Sequence, residues 1–374
     1  MKVLPLLCRE RFLYKTHTAL LLPVLVLLSS IRTLAQSSCE ATVRTEAIRV
    51  ENATGVDILR AAVNCTGEVR VYWAGRVRVG TPIVVAEGMS LSVTGDDVLA
   101  EVYGSGSHTI GTRLFEVSPG GSLTLTRLKL SGGSAGGGGA VYSHSANLTL
   151  DNCVCEGNVA TDGSGGAVWA NGGNFTVVGG EFLANNATRY GGAVHAVDGR
   201  LVVRGGSRFE GNSAIAGGAV YCGLEAQGGS TTEAVCSILD AKFVSNSACC
   251  DSQDSFKSLL YLYGGGAAMF LFASVDITGS VFRRNSALHS GGALHGGVHT
   301  NISVNRCTFD NNTSEDYGGA ISASVMMLGG DTQLTNNKAL KHGGAVSATK
   351  YYYSAKTRLF LAFDDEFAES STTG

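Results

Sequence analysis

Acidic residues that follow a recurring phenylalanine are the first candidates for chemistry in this chain. The position after each Phe, or its equivalent, is occupied in order by Glu156, Leu183, Glu210, Val244, Arg283 and Asp310. If successive repeats stack as strands about 4.8 Å apart, acids with one repeat between them lie about 9.6 Å from each other. A calcium ion needs several oxygens at about 2.3–2.6 Å. These acids are therefore expected on solvated surface.

A second acidic group falls in one extended repeat, which contains Glu225, Glu233, Asp240, Asp251 and Asp254. Asp251, Asp254 and Glu233 are weak candidates for a calcium site, and solvated loop carboxylates are the favoured alternative. No Cys–His pair or Ser–His–Asp arrangement can be recognised in the sequence. We therefore predict no catalytic residues, no bound cofactor and no enzymatic activity.

Four ring-bearing residues form the best candidate for a binding surface. The residue after each Gly-Gly-Ala-Val is Tyr142, Trp169, His195 and Tyr221 in four successive repeats, which we call the aromatic column. If the preceding Val points inward, the alternation of a strand directs this residue outward. The column then forms a surface stripe that can stack against sugar rings or a protein. A packing ladder that stabilises the sheet is the alternative.

The cysteines divide into core and bridging candidates. Cys153, Cys155 and Cys307 fall at the Phe position or two residues before it, so they are expected to pack in the interior. The disulfide candidates are Cys39 and Cys65, which can pin the N-terminal cap, and Cys222, Cys236, Cys249 and Cys250 in the extended repeat. The sequence does not give their connectivity.

The N-terminus has the pattern of a secretory signal peptide. Basic residues precede an apolar run from Ala19 to Leu28, and small residues end at Ala35. A retained signal anchor is the alternative, and no other segment resembles a membrane span. Residues 1–35 carry five basic side chains and one acidic one, so the net charge of −3 becomes −7 in the remainder. An acidic chain without basic runs is not expected to bind nucleic acid or anionic lipid.

Asparagines in Asn-x-Ser/Thr sequences are frequent, which favours a glycosylated extracellular or cell-surface protein. The glycosylation candidates are Asn52, Asn64, Asn147, Asn174, Asn186 and Asn301, and Asn311 and Asn312 have the same pattern.

The elements that must position these residues recur along the chain. Gly-Gly-Ala begins at positions 138, 165, 191, 217, 265, 291, 318 and 343, at intervals of 25–27 residues except for one of 48. Phe-x-x-Asn alternates with it, at Phe182, Phe209, Phe243, Phe282 and Phe309. Two motifs that keep one register over this length predict a repeat architecture.

A period of about 26 residues, with three short strands and three bends, favours a parallel β-helix. Glycine pairs and alternating runs such as Asn147–Asp151 argue against helical repeats. No proline follows Pro119, as expected for a continuous hydrogen-bonded sheet. We expect Phe to stack on Phe inside, Asn to form a hydrogen-bonded ladder at a bend, and the glycine pair to make a tight bend.

Three segments follow from this reading: a signal peptide over residues 1–35, a cap and first irregular turns over 36–119, and repeats over 120–374. Thr54 and Asp57 are expected to form the capping box of a short cap helix that buries Val56, Leu59 and Val63. Two loop insertions are expected around 222–264. The glycine pair after Phe367 would begin at position 375, so we expect the chain to be a piece of a longer protein.

Gly-Gly-Ala followed by Val, Ile or Leu, alternating with Phe-x-x-Asn, resembles the motif pair of the polymorphic outer membrane protein repeat family of chlamydial surface adhesins. The resemblance covers about residues 120–374, and residues 39–119 resemble the lead-in of pectin-lyase-like β-helices. It implies a right-handed parallel β-helix, secretion or surface display, and adhesion through the long side of the rod.

Two functions are consistent with these observations. The first is a secreted or cell-surface scaffold of adhesin type that binds an extracellular protein or glycan. The alternative is a polysaccharide-active enzyme, a lyase, epimerase or hydrolase, that uses the inserted loops. The lack of a stacked carboxylate site favours the scaffold.

Overall fold

The computed structural model describes residues 48–63, 67–96, 100–105, 111–224, 233–249, 264–353, 360–361 and 367–369. The predicted signal peptide over residues 1–35 and most of the two predicted insertions lie outside these residues. Within the described ranges, no helix is both long enough and apolar enough to cross a membrane.

A short helix, α1 (Ala53–Ala62), opens the described chain as the sequence predicts. Val56, Leu59 and Val63 are buried. The cap residue is Asn52 and not Thr54, because the Asn52 side chain accepts a hydrogen bond of 3.1 Å from the Gly55 amide. The helix is closely packed against the first strand: a Cβ added to Gly55 would lie 3.0 Å from Val50 Cα.

The strands of the described residues form three parallel sheets that coil around one interior, which confirms an all-β parallel β-helix. The long sheet contains β1 (Ile48–Val50), β2 (Gly67–Trp73), β4 (Ile83–Val85), β5 (Met89–Gly95), β7 (Phe115–Val117), β8 (Ser122–Thr126), β11 (Val141–Asp151), β14 (Val168–Val178), β17 (Val194–Arg204), β20 (Val220–Gly223), β21 (Ala234–Leu239), β24 (Ala268–Leu271), β25 (Ala273–Thr278), β28 (Leu294–Asn305), β31 (Ile321–Gly329), β34 (Val346–Tyr353) and β36 (Phe367–Glu369).

The second sheet, called the Phe sheet, contains β3 (Arg76–Arg78), β6 (Glu101–Tyr103), β9 (Lys129–Ser131), β12 (Val154–Glu156), β15 (Glu181–Leu183), β18 (Arg208–Glu210), β22 (Lys242–Val244), β26 (Val281–Arg283), β29 (Thr308–Asp310), β32 (Gln333–Thr335) and β35 (Phe360–Leu361). The short sheet contains β10 (Ser134–Ala135), β13 (Val159–Ala160), β16 (Asn186–Ala187), β19 (Ser213–Ala214), β23 (Ser247–Ala248), β27 (Ser286–Ala287), β30 (Thr313–Ser314) and β33 (Lys338–Ala339).

Phenylalanines on the Phe sheet form the predicted interior stack. Each ring lies parallel to the next, with centroids 4.7–4.9 Å apart and interplanar angles of 2–6°. The stack contains Phe182, Phe209, Phe243, Phe282 and Phe309, all fully buried. Cys155 pairs directly with Phe182, so a small apolar residue continues the stack, as predicted.

Asparagines at the following bend form the predicted ladder. From one turn to the next, Nδ2 donates to Oδ1 over 2.9–3.0 Å. The ladder runs through Asn158, Asn185, Asn212, Asn246, Asn285, Asn312 and Asn337, all buried. Because every buried amide is satisfied by its neighbours, the ladder fixes the register between turns.

The glycine pair has two separate functions. The first glycine of each pair has φ between 59° and 70° at all eight marks, a region that disfavours other residues. The second glycine lies against the next turn: a Cβ added to Gly192 would overlap the carbonyl oxygen of Gly218. Both glycines are therefore needed for a tight bend between closely stacked turns.

Candidate functional site

The aromatic column exists as a continuous line of ring contacts. Parallel pairing joins Tyr142 to Trp169, Trp169 to His195, and His195 to Tyr221. Their centroids lie 5.5, 5.5 and 4.8 Å apart. The expectation of an exposed stripe is wrong for His195 and Tyr221, which are 3% and 5% exposed.

Segments that precede the glycine bends fold over the column and cover it. The Tyr190 ring lies 5.2 Å from Tyr221 and 6.1 Å from His195. Val197, Ala216 and Met269 complete a buried cluster around Tyr221. At the other end, the Arg113 guanidinium lies 4.8 Å from the centre of the Tyr142 ring. The column is therefore a second core outside the sheet.

Two histidines are buried here: His195 in the aromatic column, and His295, which pairs with Met269 of the preceding turn. Burial lowers the pKa of His195 to about 3 and that of His295 to about 4. In the described structure, neither ring nitrogen of His295 has a hydrogen-bond partner. Both side chains are therefore neutral at physiological pH, as expected for packing residues.

The carboxylates that follow the Phe positions are paired with bases. Glu156 lies 2.5 Å from Lys129 Nζ, and Asp310 lies 3.2 Å from Arg283 Nε. Glu210 forms an ion pair with Arg208. Burial opposes ionisation of Asp310, but hydrogen bonds led by Thr335 hold its pKa below the usual value. These acids are arranged as neutralised surface groups.

The acidic insertion falls largely outside the described residues, which include neither Asp251 nor Asp254. Glu233 is described and is exposed on the surface. In the described part of the chain, no three His, Cys, Asp or Glu side chains come together as a metal site.

Cys222 and Cys236 form a disulfide that closes one insertion, with Cα atoms 6.4 Å apart. Cys249, a further bridging candidate, has a free and exposed thiol. It is out of reach of the other described free cysteines, Cys153, Cys155 and Cys307, because these are buried in the interior as predicted. Cys39, Cys65 and Cys250 lie outside the described residues.

Five glycosylation candidates are exposed: Asn52, Asn147, Asn174, Asn186 and Asn301. Asn64 lies outside the described residues. Asn174 Nδ2 donates to Asn147 Oδ1 over 3.0 Å, so these two amides are engaged with each other. Asn312 is fully buried in the ladder and is inaccessible to a modifying enzyme.

The long sheet bends into two limbs at a corner whose length changes along the coil. The common step between paired positions on the two sides of the corner is six positions, as from Val168 to Asn174. Other steps run from Val220 to Val235, from Leu294 to Asn301 and from Ile321 to Val325. Among the described turns, the corner is therefore longest at the disulfide-closed turn, one residue longer than the common step at Leu294, and shortest at Ile321 and Val346.

A long corner beside a short one leaves a ledge, and the ledge forms an open cleft of about 760 Å³. We call it the corner cleft; its lining residues are Leu224, Glu233, Phe272, Val298, His299, Thr300, Asn301, Ser324 and Val325. Phe272 and Val298 are 37% and 44% exposed, which is high for large apolar side chains. The Phe272 and His299 rings lie 5.4 Å apart at 30°.

Hydrogen bonds hold the walls of the corner cleft in place. The Phe272 amide donates to the Val298 carbonyl over 3.0 Å. Thr300 Oγ1 donates to Phe270 O over 3.2 Å, and Ser324 Oγ to Gly297 O over 3.3 Å. Phe272 and His299 have φ of 51° and 49°, a conformation that is costly for bulky residues. The surface is thus preformed and displays apolar groups at a cost in strain.

Phe272, Val298 and His299 were not identified from the sequence. Their signal is the corner length, which is visible only after the paired positions on both sides of the bend are aligned. The glycine intervals of these turns are 48, 27 and 25 residues, and an interval alone does not show where in the turn residues are added or removed.

A single repeat of the chain matches a family model. Residues 306–324 match the Chlamydia polymorphic membrane protein repeat. They include strand β29 with Phe309, the ladder residue Asn312, and the bend at Gly318. No curated protein and no solved structure matches the chain. The chain is thus a parallel β-helix that carries a repeat of the polymorphic membrane protein type.

Proposed function

We propose that this protein is a secreted or cell-surface scaffold that binds an extracellular protein or glycan in the corner cleft. The observation that carries this proposal is the exposure of Phe272 and Val298 on a preformed surface. The repeat type supports surface display, because polymorphic membrane proteins are surface proteins of the outer membrane.

The residues at the corner cleft are better placed for binding than the repeated ones. The Phe stack, the Asn ladder and the glycine bends all serve to stabilise the coil. Exposed aromatic and aliphatic side chains at the corner cleft provide the kind of anchor that dominates binding energy at interfaces. Rigid walls reduce the entropy lost when a partner is bound.

The residues that line the corner cleft indicate the kind of partner that fits it. Its lining contains one carboxylate, Glu233, and no Lys or Arg. An apolar side chain of a protein or the apolar face of a sugar ring fits this surface, and a phosphate-rich polymer does not. We expect Glu233 to accept a hydrogen bond from the partner at the rim.

Catalysis on polysaccharides is the competing function. The carboxylates of the Phe sheet argue against it, because each is paired with a Lys or Arg side chain. Assays of the full chain on uronate polymers and neutral polysaccharides test it directly. We expect no turnover, and product formation that requires Glu233 would replace the binding proposal.

Binding to intact cells and to a glycan array tests the scaffold proposal. The Phe272→Ala, Val298→Ala double variant should lose at least tenfold in apparent affinity and melt within a few degrees of the parent. Tyr72→Ala is the matched control, because Tyr72 is 49% exposed and does not line the corner cleft. Equal binding by the parent and the double variant would exclude the corner cleft as the binding site.

A further inference from the structure

We propose that Asn301 is an N-glycan attachment site and that its first sugar packs in the corner cleft against Phe272 and His299. The glycan then controls access to the cleft. Control of access rests on the proposed function, whereas attachment of the glycan and packing of its first sugar do not.

The position of Asn301 supports attachment. It begins the sequence Asn301-Ile302-Ser303, is exposed, and lines the corner cleft. Within the described residues its side-chain amide makes no hydrogen bond, whereas Asn174 Nδ2 is engaged by Asn147. Among the exposed candidates, Asn301 therefore combines a free amide with an adjoining apolar surface.

The cleft supplies what the first sugar of an N-glycan needs. An N-acetylhexosamine presents one ring face made of C–H groups, and aromatic rings are the usual protein partners for such a face. The His299 ring is two residues before Asn301, and the Phe272 ring lies 5.4 Å from His299. Val298, also exposed, extends the apolar surface beside them.

The covalent step uses a donor of the secretory pathway, an oligosaccharide joined through diphosphate to a polyprenol lipid. The Asn301 Nδ2 attacks the anomeric carbon of the first N-acetylhexosamine. An N-glycosidic bond forms, the bond from that carbon to the diphosphate oxygen breaks, and the amide proton leaves to the transferase base. The lipid diphosphate is the leaving group, and nothing is oxidised or reduced.

Glycopeptide mass spectrometry of the full chain, secreted from eukaryotic cells behind an efficient leader, tests attachment. We expect a glycan on Asn301, and the Ser303→Thr variant should raise its occupancy. An unmodified Asn301 in the secreted chain would overturn the proposal, whatever the state of Asn186.

Melting temperatures test packing through a double-mutant cycle. Loss of the glycan in Asn301→Gln should lower Tm by about 2 °C in the parent. The same change should have a smaller effect in a Phe272→Ala background, because one of the two rings that the sugar contacts is absent. Asn186→Gln is the control, since Asn186 does not line the cleft. An equal shift in both backgrounds would show that the glycan projects into solvent and would overturn the packing.

Cell binding by the secreted parent and by Asn301→Gln tests control of access. We expect stronger binding without the glycan. Equal binding would overturn the control of access alone. Absence of binding by both chains would count against the proposed function, while the occupancy and melting results would still decide this inference.

Discussion

Asn212 Nδ2 donates a hydrogen bond of 2.9 Å to Oδ1 of Asn246, which occupies the same position one turn further along the coil. The same Asn212 nitrogen donates to Phe182 O, on the preceding turn, over 2.9 Å. One buried side chain thus joins three consecutive turns. These hydrogen bonds fix the register of each turn against its neighbours. Residues outside the ladder can therefore change without altering that register.

Asn212→Ala should destabilise the protein by about 3 kcal/mol or more. The change leaves the backbone amide and Nδ2 of Asn185 without their acceptor in a buried site. Denaturant unfolding of the variant measures the loss. Asn186→Ala, at the exposed position next to Asn185, is the control, and a similar cost in both variants would contradict a special contribution from the ladder.

Gly192→Ala should prevent normal stacking of its turn, because the added Cβ overlaps the Gly218 carbonyl oxygen. We expect a loss of about 3 kcal/mol or failure to fold. Gly136→Ala is the matched control, since a Cβ at Gly136 has no atom within 4 Å. Thermal melting compares the two variants, and equal Tm values would contradict the close approach.

Stability should fall as pH falls from 6.5 to 5. The pKa of His195 is about 3 in the folded protein, and that of His295 is about 4, against 6.5 for an unperturbed histidine. In this window the unfolded chain binds protons that the folded chain does not, so the free energy of unfolding decreases. The loss reaches about 2 kcal/mol for each histidine.

The double variant His195→Phe, His295→Phe isolates this contribution. Urea unfolding at pH 6.5 and pH 5 should show a smaller change for the variant than for the parent. Asp310 and Asp316 do not interfere, because their lowered pKa values place their losses below the ordinary Asp value of 3.8. His342→Ala, at an exposed site, should retain the parental change.

Replacing Cys222 and Cys236 with Ser should loosen the longest corner and leave the distant turns intact. The disulfide spans 14 residues in sequence. A crosslink over a loop of this size lowers the entropy of the unfolded state, which stabilises the folded state by about 3 kcal/mol. Amide hydrogen exchange should accelerate over Ala234–Leu239 and stay unchanged over Thr308–Asp310. Cys249→Ser should change neither segment, and faster exchange in that control would point to an effect of thiol loss in general.

Most of the fold could be predicted because its determinants repeat. Phe209, Asn212 and the Gly191–Gly192 pair each impose one local requirement, and the same requirement returns on every turn with a fixed period. The structure differs from the sequence prediction where two nearby residues carry the same local signal, as at the start of α1. Asn52 caps α1 in place of Thr54: the Asn52 backbone is extended and its side chain accepts from the Gly55 amide, whereas Thr54 already lies within the helix.

The candidate site was harder to predict because it depends on differences between turns. The alternation that places His195 outside the sheet is correct, yet it gives no information on the segment that covers this side chain. Tyr190 supplies that cover from the preceding bend. Phe272 and Val298 are exposed because the corner at Ile321 is short, a property of a different turn.

The corner between the limbs of the long sheet can vary in length without a change in the coil that supports it. Residues added between Val220 and Val235 leave Phe243 stacked on Phe209 and Asn246 bonded to Asn212. The short corner between Ile321 and Val325 likewise leaves Leu334 paired with Phe309 and Asn337 bonded to Asn312. Lengthening such a loop costs only a small, logarithmic loss of entropy. The corner is consequently a grafting position, where foreign peptides or new recognition sequences can be installed while the coil beneath them remains the same.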